Sequence, residues 1–115
     1  MDISVKIAIT APDGVMHEHE IAAFEKGCDS AAEIGLSIGD SKALLLSLQQ
    51  EIVAAQTAAF CADHSTCPCC AGRLRCKGSK AIQYRTVFGD ITIDSLRFYH
   101  CRCHTGSAQT FSPLT

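Results

Sequence analysis

The sequence predicts an α+β protein in which an N-terminal β-hairpin, one long α-helix and a C-terminal β-hairpin follow one another. Apolar and polar residues alternate over residues 3–9 and 15–21, and again on both sides of Gly89-Asp90, as in half-buried strands. Between residues 38 and 64 the apolar residues recur at steps of three and four, the period of a helix. We therefore expect two subdomains, a hairpin with the helix in residues 1–64 and a second unit in residues 65–115.

The first hairpin is predicted to turn at Ala11-Pro12-Asp13-Gly14, because proline and glycine favour a reversal of the chain. Its second strand, residues 15–21, places His17 and His19 on one face. Two histidines on one face can bind a metal, but no third ligand is near them in the sequence. We expect them to be surface residues.

The long helix is predicted to begin at a capping box, in which Ser37 accepts a hydrogen bond from a first-turn N–H and Asp40 lies near the positive helix end. We expect it to continue to about His64. Its apolar stripe is expected to cover the N-terminal hairpin; the alternative is a homodimer through residues 38–64. The stripe consists of Leu45, Leu48, Ile52, Ala55 and Ala59.

Composition narrows the class of protein. The 115 residues include eight cysteines, no apolar run of membrane-spanning length and no N-terminal pattern of a signal peptide. We therefore expect metal binding in a reducing cytosol rather than a disulfide framework, and no membrane partner. The net charge of −2 is unevenly distributed. Residues 1–66 contain three Lys/Arg and ten Asp/Glu, whereas residues 67–115 contain seven Lys/Arg and two Asp/Glu.

The cysteines of the second unit form two groups at the two ends of the predicted C-terminal hairpin. Cys67-Pro68-Cys69-Cys70 precedes it, and Cys101-Arg102-Cys103 follows it. This is the arrangement of a zinc ribbon, in which four thiolates close tetrahedrally on one structural Zn²⁺. A turn directs the sulfurs of Cys67 and Cys70 to one ion, and residues two apart on a strand, Cys101 and Cys103, point to the same face.

Some alternatives remain open for the ligands. Cys69 can replace Cys70, and we expect Cys28 and Cys61 to be small packing residues. A redox dithiol of Cys67 and Cys70 is disfavoured, because the pair follows a helix instead of opening one. A zinc ion with four protein ligands has no open position for water, and we find no active site and expect no small-molecule substrate. Further substitutes as ligands are Cys76, His64, His100 and His104.

The positive charge of the second unit predicts contact with a polyanion, and we expect DNA. Lysine and arginine side chains would contact phosphate groups. The candidate DNA-binding residues are Arg73, Arg75, Lys77, Lys80, Arg85, Arg97 and Arg102. The alternative function is a zinc-stabilised protein-interaction or dimerisation module built on the helix.

Several runs of residues together resemble a known family. They are residues 67–75, Lys77-Gly78, the Tyr-Arg-Thr-Val-Phe-Gly block at 84–89, residues 97–103 and residues 110–114. The chain resembles the N-terminal region of the ISKra group of bacterial insertion-sequence transposases over nearly its whole length. One departure is local, because Ala71 stands where that family usually has glycine, and Cys69 is an additional cysteine.

The resemblance implies that Cys67, Cys70, Cys101 and Cys103 are zinc ligands. It also implies a role in DNA transposition, in the bacterial cytoplasm and close to the nucleoid when bound to DNA. The DDE-type nuclease domain of the family, with its clustered carboxylates, is expected to lie beyond these residues. We therefore expect no enzymatic activity from this chain.

Overall fold

The computed structural model describes residues 1–103 and 110–114 and confirms the predicted α+β class. A two-stranded antiparallel sheet comes first, followed by a helix and a three-stranded antiparallel sheet in the order β3-β4-β5. A single turn of 3-10 helix, Ala31–Glu33, precedes the long helix. The elements are β1 (Asp2–Thr10), β2 (Met16–Glu25), α1 (Ile38–Asp63), β3 (Cys76–Thr86), β4 (Gly89–Tyr99) and β5 (Thr110–Phe111).

The N-terminal hairpin turns where the sequence predicted. The backbone N–H of Ala11 donates to the Val15 carbonyl at 2.9 Å, and Gly14 has a φ of 87°, which glycine adopts without strain. Strand β2 continues past the predicted end at residue 21, because β1 begins at Asp2 and pairs there with Glu25. A bulge between Val5 and Lys6 shifts the register, which the simple alternation of the sequence did not reveal.

The capping box of α1 is confirmed. The Asp40 N–H donates to Ser37 Oγ at 3.0 Å, and the Ser37 N–H donates to Asp40 Oδ2 at 3.0 Å. Lys26, at the end of the first hairpin, forms an ion pair with the same carboxylate. Together these bonds lower the pKa of Asp40, the Lys26 bond most and the Ser37 N–H next. The start of the helix is thereby tied to the first hairpin.

Helix α1 contacts both sheets, through β2 on one side and β4 on the other. Gln50 Nε2 donates to the Thr92 carbonyl at 2.9 Å, and Glu51 Oε2 lies 3.7 Å from His19 Nδ1. Burial is therefore split between two directions instead of following one stripe. The buried helix residues are Thr57 and Cys61, whereas two members of the predicted stripe, Leu45 and Ile52, remain 37% and 36% exposed.

The second sheet has two buried regions, one on each face. On one face Ile91, Ile93 and Ser95 of β4 are buried. On the other, Phe98 packs with Cys67 and Leu74 of the preceding turn, and Phe111 of β5 packs against this cluster. Strand β5 pairs Phe98 with Phe111, a third strand that the sequence analysis did not predict. No helix in the described part of the chain is long and apolar enough to cross a membrane.

Candidate metal centre

The first pair of cysteines lies in a tight turn between α1 and β3. The Ala71 N–H donates to the Cys67 carbonyl at 2.9 Å, and the Cys67 N–H donates to the Gly72 carbonyl at 2.8 Å. An isolated antiparallel bridge between Thr66 and Arg73 closes the base of the turn. These backbone bonds hold Cys67 and Cys70 on one side of the turn, facing the end of β4.

The second pair, Cys101 and Cys103, follows β4 and meets the first pair. The Sγ atoms of Cys67 and Cys103 are 3.5 Å apart, and those of Cys70 and Cys101 are 3.4 Å apart. All four sulfurs lie within 4.8 Å of one another. Bonds of about 2.3 Å from one zinc ion to four tetrahedral sulfurs would separate the sulfurs by about 3.8 Å. The cluster is able to hold a metal ion, and its separations are too long for disulfide bonds.

The electrostatics of the four thiols also suit a cation. Backbone N–H groups of Cys70 and Cys69 lower the pKa of Cys67 to about 5, which favours its thiolate form. Its negative charge then opposes further ionisation: the pKa of Cys103 is raised, chiefly by Cys67 and then by Cys101. The Gly72 N–H is the largest single influence on Cys70 and lowers its pKa. The thiols of Cys101 and Cys67 together outweigh this influence, so the pKa of Cys70 is raised. Four thiolates can coexist here only beside a positive ion.

The structure separates the alternative ligands from this cluster. Cys69 and Cys76 are exposed, and Cys76 Sγ donates to the Gly78 carbonyl at 3.5 Å. The His64 ring stacks on Phe60 with centroids 4.0 Å apart, and the His100 ring lies 4.9 Å from that of Phe111. His104 lies outside the described residues. Among the residues that the structure describes, the four cysteines are the one group of three or more metal-ligating side chains close enough together to hold an ion, and neither His17 nor His19 belongs to such a group.

Two matched variants test which cysteine of the first group binds the metal. We expect Cys69→Ser to keep one bound metal ion per chain, because its side chain lies outside the cluster of four sulfurs. Cys70→Ser should lose the ion or bind it much more weakly, since hydroxyl oxygen is a poor replacement for thiolate. Metal content after gel filtration in reducing buffer measures both. Retention by Cys70→Ser together with loss from Cys69→Ser would show that the assignment is wrong.

Ala71 is the one residue other than glycine with a positive φ, 59°, in the described part of the chain. This left-handed conformation costs a residue with a side chain about 1–2 kcal/mol, which glycine avoids. Ala71 is also the residue for which the sequence analysis expected glycine to suit the turn better. The turn keeps its two backbone hydrogen bonds despite the strain, so the cysteine geometry is preserved.

The seven candidate DNA-binding residues do not form one surface. In the register of β3 with β4, Lys80 is opposite Ser95, and Arg97 is opposite Gly78, so Lys80 and Arg97 share a face. Arg85 is opposite Asp90, on the other face. The Arg75 guanidinium lies 4.8 Å from the centre of the Tyr99 ring. The others, Arg73, Lys77 and Arg102, are exposed in or near the turn and strand ends around the cysteines.

The structure also brings hydroxyl groups to the face of Lys80 and Arg97. Arg97 Nη2 donates to Thr110 Oγ1 at 2.8 Å, and the hydroxyls of Ser95 and Ser112 are hydrogen bonded to each other. The sequence analysis missed this group, because β5 contains only two residues and has no periodicity to detect. The one sequence signal was Ser95 at a position where the alternation calls for an apolar residue.

No protein-family model, curated protein or solved structure matches this chain.

Proposed function

We propose that the chain is a structural zinc-binding module that contacts DNA within an insertion-sequence transposase. The observation that carries the proposal is the cluster of four cysteine sulfurs, which lies in the half of the chain that holds seven of its ten Lys/Arg residues. Four thiolates in a tetrahedron favour zinc over hard cations such as Mg²⁺ and Ca²⁺. All four positions are filled by protein, so the metal would stabilise the fold without activating water. We propose no catalytic role for this chain.

The distribution of ion pairs supports contact with DNA. The two ion pairs in the described part of the chain, His19 with Glu51 and Lys26 with Asp40, lie in the acidic half. Within the described residues, none of the seven candidate cations has a carboxylate at ion-pair distance. Cations without a carboxylate partner remain available to phosphate groups, and binding to phosphate releases the counterions of DNA.

The transposase assignment is supported by the resemblance of the sequence. The blocks that carry it coincide with the turn around the cysteines, the hairpin of β3 and β4, and residues 110–114. As part of such a protein in the bacterial cytoplasm, the module would help to place the transposase on DNA, while a separate domain would provide the nuclease chemistry.

The zinc-loaded chain should bind duplex DNA with a strong dependence on salt. If about four cations contact phosphates, log K should fall against log salt with a slope of about −3 to −4. Different duplex sequences should bind with similar affinity, because phosphate contacts carry no sequence information. Fluorescence anisotropy of labelled duplexes at several salt concentrations measures the slope. Absence of binding at low salt, with the metal loaded, would contradict the DNA-binding proposal.

Exposed apolar residues on α1 favour a second candidate, a protein-interaction or dimerisation module. Leu45, Ile52 and Phe60 are each more than a third exposed, which leaves apolar surface on the helix available to a partner. The double variant Leu45→Gln with Ile52→Gln separates the two candidates. A dimer that forms through the helix should dissociate more readily in this variant, as sedimentation equilibrium would measure. The affinity of a monomer for DNA should stay unchanged.

A further inference from the structure

A groove crosses the second sheet beside the buried part of β4. Its volume is about 330 Å³, and its walls come from all three strands. Lys80 and Ile82 of β3 form one side, and Ser95 and Arg97 of β4 form the floor. Residues 110–112, in and after β5, form the other side. None of the four cysteines of the metal centre lines this groove.

Two positive charges share this groove without a negative partner. Because Lys80 is opposite Ser95 and Arg97 is two residues further along β4, the two cations are diagonal neighbours on one face of the sheet. Like charges in such positions repel each other. No carboxylate lines the groove, and neither cation forms an ion pair in residues 1–103 and 110–114. An anion bound between them would remove the repulsion.

The hydroxyl groups around the two cations add directional donors. The bond from Arg97 Nη2 to Thr110 Oγ1, 2.8 Å long, fixes the guanidinium and leaves further N–H groups for a ligand. Ser95 is only 1% exposed, and its hydroxyl is paired with that of Ser112 at the edge of the groove. Donors that converge from three strands suit the tetrahedral oxygens of phosphate better than a planar carboxylate, which a single arginine can bind in one plane.

We propose that this groove binds a phosphate group, supplied by the DNA backbone, with Lys80 and Arg97 as the charged contacts. Thr110 acts as a positioning residue through Arg97. This inference rests on the proposed function, and it selects two of the seven candidate cations as the centre of the DNA contact. The same chemistry would accept free inorganic phosphate, so the experiment must distinguish the two sources.

The test compares two double variants of the zinc-loaded chain with equal loss of charge. Lys80→Gln with Arg97→Gln removes both cations of the groove, whereas Lys6→Gln with Lys42→Gln removes two exposed cations from the acidic half. We expect the groove variant to bind duplex DNA about tenfold or more weakly at low salt and to reduce the salt slope by about two. The control should keep both the affinity and the slope within error. Unchanged zinc content and a dispersed NMR spectrum establish that each variant is folded.

If the double variant does not fold, the single variants Lys80→Gln and Arg97→Lys replace it in the same measurement. Each of them should still lower the affinity for duplex DNA. NMR titration of the parent chain with inorganic phosphate should shift the amide signals of Ser95 and Thr110. If DNA binds equally well to the groove variant and the control, the groove inference is overturned while the proposed function stands. If phosphate shifts those signals but no DNA binds, the DNA source and the proposed function both fail. If neither ligand binds, the groove is not a phosphate site.

Discussion

Replacing Cys67 by serine is expected to abolish stoichiometric zinc binding and to unfold the C-terminal half of the chain. Cys67 is both a thiol whose pKa is lowered by the backbone N–H groups of its turn and a buried member of the core with Leu74 and Phe98. Structural zinc sites in small peptides contribute about 10–16 kcal/mol to folding at neutral pH. Few other contacts in this half could replace such a contribution, since its buried apolar residues are few.

Metal analysis and NMR of the same sample measure the two effects of this variant. The parent chain should contain about one zinc ion per chain, and iron measured in parallel excludes the other common tetrathiolate metal. Cys28→Ser is the matched control, because Cys28 lies in the N-terminal half and is exposed; the prediction that it packs inside the protein was wrong, whereas Cys61 is buried as predicted. Addition of a chelator to the parent chain should reproduce the unfolding. A parent chain that holds no metal in reducing buffer, or a Cys67→Ser variant that keeps it, would overturn the zinc proposal.

Phe98→Ala is expected to destabilise the zinc-loaded chain by about 3–5 kcal/mol. The Phe98 side chain is 4% exposed, packs on Cys67 and Leu74, and has its ring centre 6.2 Å from that of Phe111. Its removal leaves a cavity between the sheet and the turn that carries the first cysteines. Small domains are stable by only about 5–15 kcal/mol, so much of the stability would be lost.

Denaturant unfolding monitored by circular dichroism measures this loss, and competition with a zinc-binding dye measures the accompanying loss of metal affinity. Phe88→Ala is the control, because Phe88 is 40% exposed at the turn between β3 and β4 and should cost less than about 1 kcal/mol. Equal destabilisation by the two variants would mean that Phe98 does not connect the sheet to the metal centre.

The helix and its cap could be predicted from the sequence because both depend on nearby residues. Ser37 and Asp40 are three positions apart, and the bonds between them form wherever the chain becomes helical there. The approach of the two cysteine groups to each other was also predictable, since they stand at the two ends of a hairpin. The turn itself lies at Val87-Phe88, because Thr86 pairs with Gly89, and the turn predicted at Gly89-Asp90 was two residues too late. Such features need no knowledge of distant contacts.

The features that the sequence did not reveal depend on contacts between distant segments. The exposure of Leu45 and Ile52 results from two sheets meeting α1 from different directions, which the periodicity of the helix cannot show. The groove depends on the short strand β5 returning to β4, where Thr110 meets Arg97. The placement of Lys80 and Arg97 on one face depends on the register in which β3 pairs with β4.

Strand β3 is an edge strand in the described sheet, and its exposed side has a consequence for association between chains. An exposed strand edge can pair with the edge of another molecule and start aggregation. Lys77 and Lys80, together with the bulge that twists the strand before Gly78, are the devices by which natural sheets discourage such pairing. The basic residues of β3 would therefore hinder aggregation through this edge whenever no nucleic acid is bound. Replacing these lysines by neutral residues is expected to lower the solubility of the protein even when no ligand is present.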